Sequence, residues 1–442
     1  CVYIYCERKV MKALYFSIVC FFLLGGNVFG QGIRFFEGSL DQALEVAKKE
    51  GKLVFVDFYA DWCGPCKQLA KEVFSKDEVG VYYNEKFISV KVNTEDATNK
   101  TYVRKYKVSS LPTLVFMQSD GKLISSVSGT MGIEDFIVAG RVAAGEEMSF
   151  EALYSKYKSN SKDLNLLQQL LERAPGFVGI QEKAVDKQKW ITRVEDLYKK
   201  YIDKKPIEEM VNKDDFRIIR TFHKIDGQED PFVEKMIDHL AEYKEKVGNA
   251  PAGYLLEYNN KIMSRLARAG KTEYKKYLDR VNGDLKLAYD LMPERAVSPY
   301  DRIRYMYEGE YLIYYKKDAK AYMDLQEEYI HALGKEANDV DYGSAVQTLY
   351  EATGGKISNE WHEKASQWIV EALKTPNVPL MNKLNLIVLL GDASRELGKY
   401  DEAKKYYNQA FMESMQLEHQ MTQRGIQMSL KRKLAKLDLL KK

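Results

Sequence analysis

The chain has 442 residues, enough for two or more domains that each bury a core. Apolar residues make up 45% and charged residues 30%, an ordinary globular balance, and 31 Tyr against 10 Pro suit helices better than disordered linkers. A net charge of +3 without a basic stripe argues against nucleic acid as a partner.

From Met11 the chain reads MKALYFSIVCFFLLGGNVFGQ: one lysine, an apolar run from Ala13 to Leu24, then Val28-Phe29-Gly30. This is the pattern of a secretory signal peptide cleaved after Gly30. The apolar run falls well short of the roughly 20 residues that a membrane span needs. Residues 1–10 read as sequence upstream of the initiator, so residues 1–30 are assigned to upstream residues plus leader. The expectation is an exported protein, with an uncleaved membrane anchor as the alternative.

Of five cysteines, Cys1, Cys6 and Cys20 lie in or before the leader, which leaves Cys63 and Cys66 in the mature chain. Exported proteins stapled by disulfides carry several at longer spacings. A bridge between Cys63 and Cys66 would close so small a loop that it would restrain little of the unfolded chain. Structural zinc needs four ligands, and residues 31–148 hold no histidine and no third cysteine. The five histidines (His223, His239, His331, His362 and His419) are scattered further on, and WHEKASQW lacks the second histidine of a zinc-protease helix. Redox exchange is the reading that remains.

Over residues 33–145 strands and helices alternate. SLDQALEVAKKEG (39–51) is a helix with Ser39 as N-cap, Gln42 at the capping-box position and Gly51 to end it. KLVFVDFYA (52–60) is a buried strand by its length and β-branched, aromatic content. A helix runs from Cys63 to about Ser75, with Leu69, Val73 and Phe74 apolar. Then follow a strand over 87–93, a helix over 96–106, a strand over 113–118, a turn at 119–121 into a hairpin strand over 122–129, and a helix over 133–143. The order βαβαβαββα implies an α/β fold whose part-parallel sheet closes with an antiparallel hairpin.

This layout puts Cys63 just before a helix and Cys66 in its first turn. Unpaired N–H groups and the helix dipole at that end favour an anion and lower the pKa of the first thiol. Gly64 is expected to let the chain turn closely, and Pro65 suits a first-turn position where no N–H is needed. Such a pair can attack a disulfide through the first thiol and be released when the second attacks the mixed disulfide.

VDFYADWCGPCK resembles the active-site segment of thioredoxins, and SSLPTLVFM resembles their second signature, in the right order over about 110 residues. The resemblance implies that Pro112 is cis and faces the disulfide, and that the backbone of Leu111 offers a docking edge to an incoming peptide. It places the family's buried acid at Asp57 and its partner lysine at Lys91. A carboxylate whose pKa is raised by burial could accept the proton of Cys66. Two plainer readings stand beside this: Asp57 as a solvated strand-end residue, and Lys91 as a surface lysine. Trp62 covers one side of the active-site face, and Gly129 matches a glycine near the substrate groove. The chain departs from the family at Lys71, where a helix-kinking proline is usual, and at Tyr59, where many members have tryptophan. GKLVFVDFYADWC followed by KEVF is closer to the exported thioredoxin-like domains that accept electrons across bacterial membranes, which makes the periplasm the expected location.

After Gly145 the strand pattern stops and helical periodicity runs to the C-terminus, with breaks expected near Pro175, Pro206, Pro231, Pro251, Pro293 and Pro376. Residues 149–442 are therefore read as an α-solenoid of helix pairs. LLGDASRELGKYDEAKKYYNQAF (389–411) resembles a tetratricopeptide repeat, with Gly391, Gly398, Tyr400, Ala403, Tyr407 and Ala410 at matching positions. The unit is placed near 380–415. Trp361 and Trp368 have core spacing.

The sequence thus predicts an exported thiol–disulfide oxidoreductase, favoured as a reductase, that needs no cofactor beyond the Cys63–Cys66 pair. Its expected partners are disulfide-containing client proteins, a membrane or extracytoplasmic electron donor, and a peptide or protein ligand of the helical domain. The alternative is a helical-repeat scaffold or chaperone-like binding factor with an accessory redox module.

Overall fold

The computed structural model describes residues 32–181, 183–417 and 420–440. The leader assigned to residues 1–30, and His419, lie outside the described residues. The chain divides into two compact units, one ending at Lys205 and the other running from Pro206.

The first unit opens with β1 (Phe35–Phe36), α1 (Leu40–Glu50), β2 (Leu53–Tyr59) and α2 (Gly64–Leu69). Next come α3 (Asp77–Lys86), β3 (Phe87–Asn93), α4 (Lys100–Lys105), β4 (Thr113–Met117), β5 (Leu123–Ser128) and α5 (Ile133–Ala143). Three helices follow: α6 (Phe150–Ser159), α7 (Leu164–Gly179) and α8 (Ala184–Lys204). The sheet order is β1-β3-β2-β4-β5. β1 and β2 run parallel to β3, while β4 runs antiparallel to β2 and β5. This is the part-parallel α/β sheet, closed by an antiparallel hairpin, that the alternating pattern implies.

Period-two alternation sorts the strand residues onto two cores. Val54, Val56 and Phe58 pack with Val90, Val92, Val115 and the buried face of α1. Phe55 turns the other way, with Leu114 and Phe116, onto Leu69, Phe74, Tyr83 and Phe136. Asp57 shares the parity of Phe55 and so lies on the face that α2 covers. The capping box at Ser39 and Gln42 forms as the sequence implies, and Gly51 ends α1 at φ 67°.

The helix after the cysteines departs from expectation. It is α-helical only to Leu69 and continues as a π turn over Ala70–Phe74. A π turn admits one extra residue and brings positions five apart onto one face, so Leu69 and Phe74 both reach the core. It stands at the point where Lys71 replaces the expected kinking proline. The helix Asp77–Lys86 has no counterpart in the sequence reading, because Val79, Gly80, Val81, Tyr82 and Tyr83 are weak helix formers. Burial of Val79 and Tyr83, one turn apart, holds it there.

Pro175 does not break the chain as expected but lies inside α7. It lacks an N–H for the helix ladder, yet Leu166, Leu167, Leu170, Leu171 and Ala174 bury a continuous face that keeps the helix whole.

The second unit is helical from Lys213–Phe222 to Gln420–Leu440. Pro231 and Pro251 open helices, in line with the expected breaks. Trp368 is buried and Trp361 packs against the same core, in line with their spacing. Leu380–Glu396 and Tyr400–Glu413 meet at Gly391, where a Cβ would stand 2.4 Å from Tyr407 Cε1. Among the described residues no helix is long and apolar enough to cross a membrane.

Candidate redox site

Cys63 and Cys66 are joined in a disulfide with Cα atoms 5.3 Å apart. Cys63 is the N-cap of α2, and the Cys66 N–H donates to its Sγ at 3.2 Å. On reduction that N–H and the helix dipole would face a Cys63 thiolate and stabilise it. Pro65 occupies the first turn, where a missing N–H costs nothing. Gly64 is not a tight turn: a Cβ there would meet nothing within 4 Å, so the glycine leaves open surface beside the disulfide.

The cysteines are 2% and 5% exposed, whereas Trp62 beside them is 69% exposed. Ala60, Tyr59 and Leu111 pack against the two sulfur-bearing residues. The Leu111–Pro112 bond is cis. Gly129, at φ 94°, donates its N–H to the Pro112 carbonyl at 2.9 Å, which ties the end of β5 to this peptide. A positive φ of this size is costly for any residue with a Cβ.

Asp57 is 1% exposed. Register across β2 and β3 sets it opposite Lys91, whose Nζ donates to Asp57 Oδ2 at 3.0 Å. Oδ1 is buried and has no partner. Burial raises the Asp57 pKa, and the nearby Lys91 charge and hydrogen bond offset only part of that rise. The solvated strand-end reading of Asp57 therefore fails.

The sequence reading noted Tyr59 only as a departure. Lys91 Nζ lies 4.7 Å from its ring centroid, 5.0 Å from that of Phe35 and 5.9 Å from that of Phe74. Three rings from β1, β2 and the π turn thus hold the lysine head over Asp57 by cation–π attraction. Tyr59 also touches the cysteine cluster and so links the buried ion pair to the disulfide. No motif signals this cage, since its members come from three elements.

Among the described residues no group of three or more His, Cys, Asp or Glu side chains is arranged to hold a metal. What the arrangement supports chemically is two-electron exchange between a dithiol and a disulfide, in a domain that also buries the Asp57 carboxylate.

A family described as thioredoxin-like domain matches residues 40–141. Thioredoxin of Echinococcus granulosus is 38% identical over 99 residues, covering 22% of this chain and 86% of that protein. Thioredoxin-T of Drosophila melanogaster is 43% identical over 84 residues, 19% of this chain and 49% of that protein. Thiol:disulfide interchange protein DsbD of Yersinia pestis is 36% identical over 95 residues, 21% of this chain and 16% of that protein. The chain thus spans about half the length of the Drosophila relative and a small part of the Yersinia one.

Proposed function

The chain belongs to the thioredoxin family through residues 40–141 and carries that family's disulfide-oxidoreductase domain, and from this premise we propose that the whole protein is an exported reductase of client disulfides. The observation that carries the reading is the Cys63–Cys66 disulfide at the start of α2, packed against Leu111 and with Asp57 buried on the covered face of the sheet.

In the reduced protein, the Cys63 thiolate attacks a client disulfide, forms a mixed disulfide and expels one client thiolate. Cys66 then loses its proton to Asp57 and attacks Cys63 Sγ, which releases the second client thiolate and leaves Cys63–Cys66 oxidised. The two electrons gained by the client come from the dithiol, which an extracytoplasmic dithiol donor regenerates. Leu111, Pro112 and Gly129 orient the client, Trp62 and the open surface at Gly64 and Pro65 border it, and Lys91 tunes Asp57. The Gly-Pro dipeptide suits reducing members, for which a potential of about −270 mV is the reference. The likeness to DsbD supports a periplasmic setting. In this reading residues 31–148 form the redox domain. Residues 149–442 form the helical domain, which includes the tetratricopeptide-like unit and positions clients.

The full chain should reduce insulin in the presence of dithiothreitol, and Cys63→Ser should abolish the activity. Wild-type protein that leaves insulin intact, or Cys63→Ser protein that still reduces it, overturns the proposal.

A further inference from the structure

A cavity of about 240 Å³ lies between the β5–α5 edge and the helices α6 and α7 of the same unit. Met131, Val138, Phe150 and Phe177 supply its apolar walls. Met131 follows Gly129 by two residues, and Gly129 is bonded to Pro112. The cavity therefore begins where the proposed client-docking edge ends. It falls below the about 300–1,000 Å³ of small-molecule sites, a size that suits one side chain.

Three charged residues line it: Asp135, Glu151 and Arg173. Arg173 is already engaged, donating to the Met148 carbonyl at 2.9 Å and standing 3.8 Å from Glu147. Among the described residues nothing donates a hydrogen bond to the Asp135 carboxylate, although the residue is partly buried. Burial raises its pKa, Glu134 adds to the rise, and Arg173 offsets part of it. The lining thus carries two carboxylates against one guanidinium, and that guanidinium also faces Glu147, which Arg141 pairs at 3.2 Å.

The sequence of α7 makes room for that carboxylate. A Cβ at Gly176 would stand 2.2 Å from Asp135 Oδ1. Pro175 and Gly176 are the two residue types least suited to a helix interior, and they sit together at this point of α7. Leucine or alanine would serve the helix better but would displace Asp135.

We propose that this cavity is a specificity pocket for a lysine or arginine side chain of the client, its stem on the apolar walls and its cationic head on Asp135. The inference rests on the redox reading only for what brings the client there. An apolar wall with a carboxylate at the end matches a long basic side chain, whose methylenes and charge want different surroundings.

Two measurements on the full-length oxidised and reduced protein separate the ideas. The binding probes are fluorescein-labelled nonapeptides in which Lys or Glu is scanned through the four positions on either side of a central serine. At one of those positions the Lys peptide should bind about tenfold more tightly than the Glu peptide, the order expected of one hydrogen bond to a charged group. Asp135→Asn should bring the two within about twofold, and Asp135→Ser should do the same if the first variant folds poorly. Equal binding of the Lys and Glu peptides to wild-type protein, or a Lys preference that survives both substitutions, overturns the pocket. Reduction of an uncharged peptide mixed disulfide tests the redox reading alone, since Asp135 has no part in it. A Lys preference without reduction would support the pocket and remove the reductase.

Discussion

The two units treat buried carboxylates in opposite ways. In the first, Asp57 has one oxygen on Lys91 and the other bare. In the second, Asp392 is also largely buried, but it accepts from Tyr407 Oη at 2.6 Å, from Lys433 Nζ at 2.6 and 2.7 Å, and from Arg395 at 3.3 Å. A carboxylate so surrounded clamps three helical segments together. One with a bare buried oxygen favours taking a proton. The contrast teaches that, in the proposed mechanism, the acid that takes a proton is recognised by the partner it lacks.

The largest effect that could break this comparison comes from dividing the chain. A fragment of residues 31–148 should fold and reduce insulin, and one of residues 206–442 should have no such activity. The sheet and both thiols lie in the first. Circular dichroism and insulin turbidity report both outcomes; an unfolded 31–148 fragment would remove the domain boundary proposed after residue 148.

Next in size is Asp57→Asn. It should slow resolution of the mixed disulfide at neutral pH about a hundredfold, the lower end for a lost general base. First attack by Cys63 should change by no more than about threefold. Stopped-flow traces of both steps decide it, and equal slowing of the two would make Asp57 structural. The same variant sharpens the comparison through stability. The folded Asp57 pKa is raised, so its contribution is fully present below the unfolded value of about 3.9 and is lost as pH rises through the folded pKa. Asp57→Asn should therefore be more stable than wild type at pH 8, with the gap in Tm closing as pH falls toward 4.

A smaller effect belongs to the second unit. Gly391→Ala drives a methyl into the Tyr407 ring and should cost about 1–3 kcal/mol by overpacking. Urea unfolding should show this loss in the helical unit while insulin reduction stays unchanged. Loss of activity in step with that unfolding would couple the two units.

The redox site was legible where its chemistry is local in sequence. Cys63, Gly64, Pro65 and Cys66 declare themselves within four residues, and the strands of the sheet follow from runs of Val and Phe. Asp57 and Lys91 required the resemblance, because only the register of β2 on β3 makes them neighbours. The Phe35, Tyr59 and Phe74 cage was hidden, as its rings converge only after the π turn shifts Phe74 inward. Pro175 misled because local propensity argues for a break, while a buried leucine face overrides it. The helix at Asp77–Lys86 was missed for the converse reason: its propensity is poor and its existence depends on burying Val79 and Tyr83.

The most direct test of the division of labour between the two sulfurs is mass spectrometry of the trapped adduct. Full-length Cys66→Ser protein, reduced and then mixed with insulin, should accumulate a mixed disulfide through Cys63 that dithiothreitol releases. The Cys63→Ser protein should form little or none through Cys66. Equal adducts on both variants, or an adduct only on Cys66, would contradict the account.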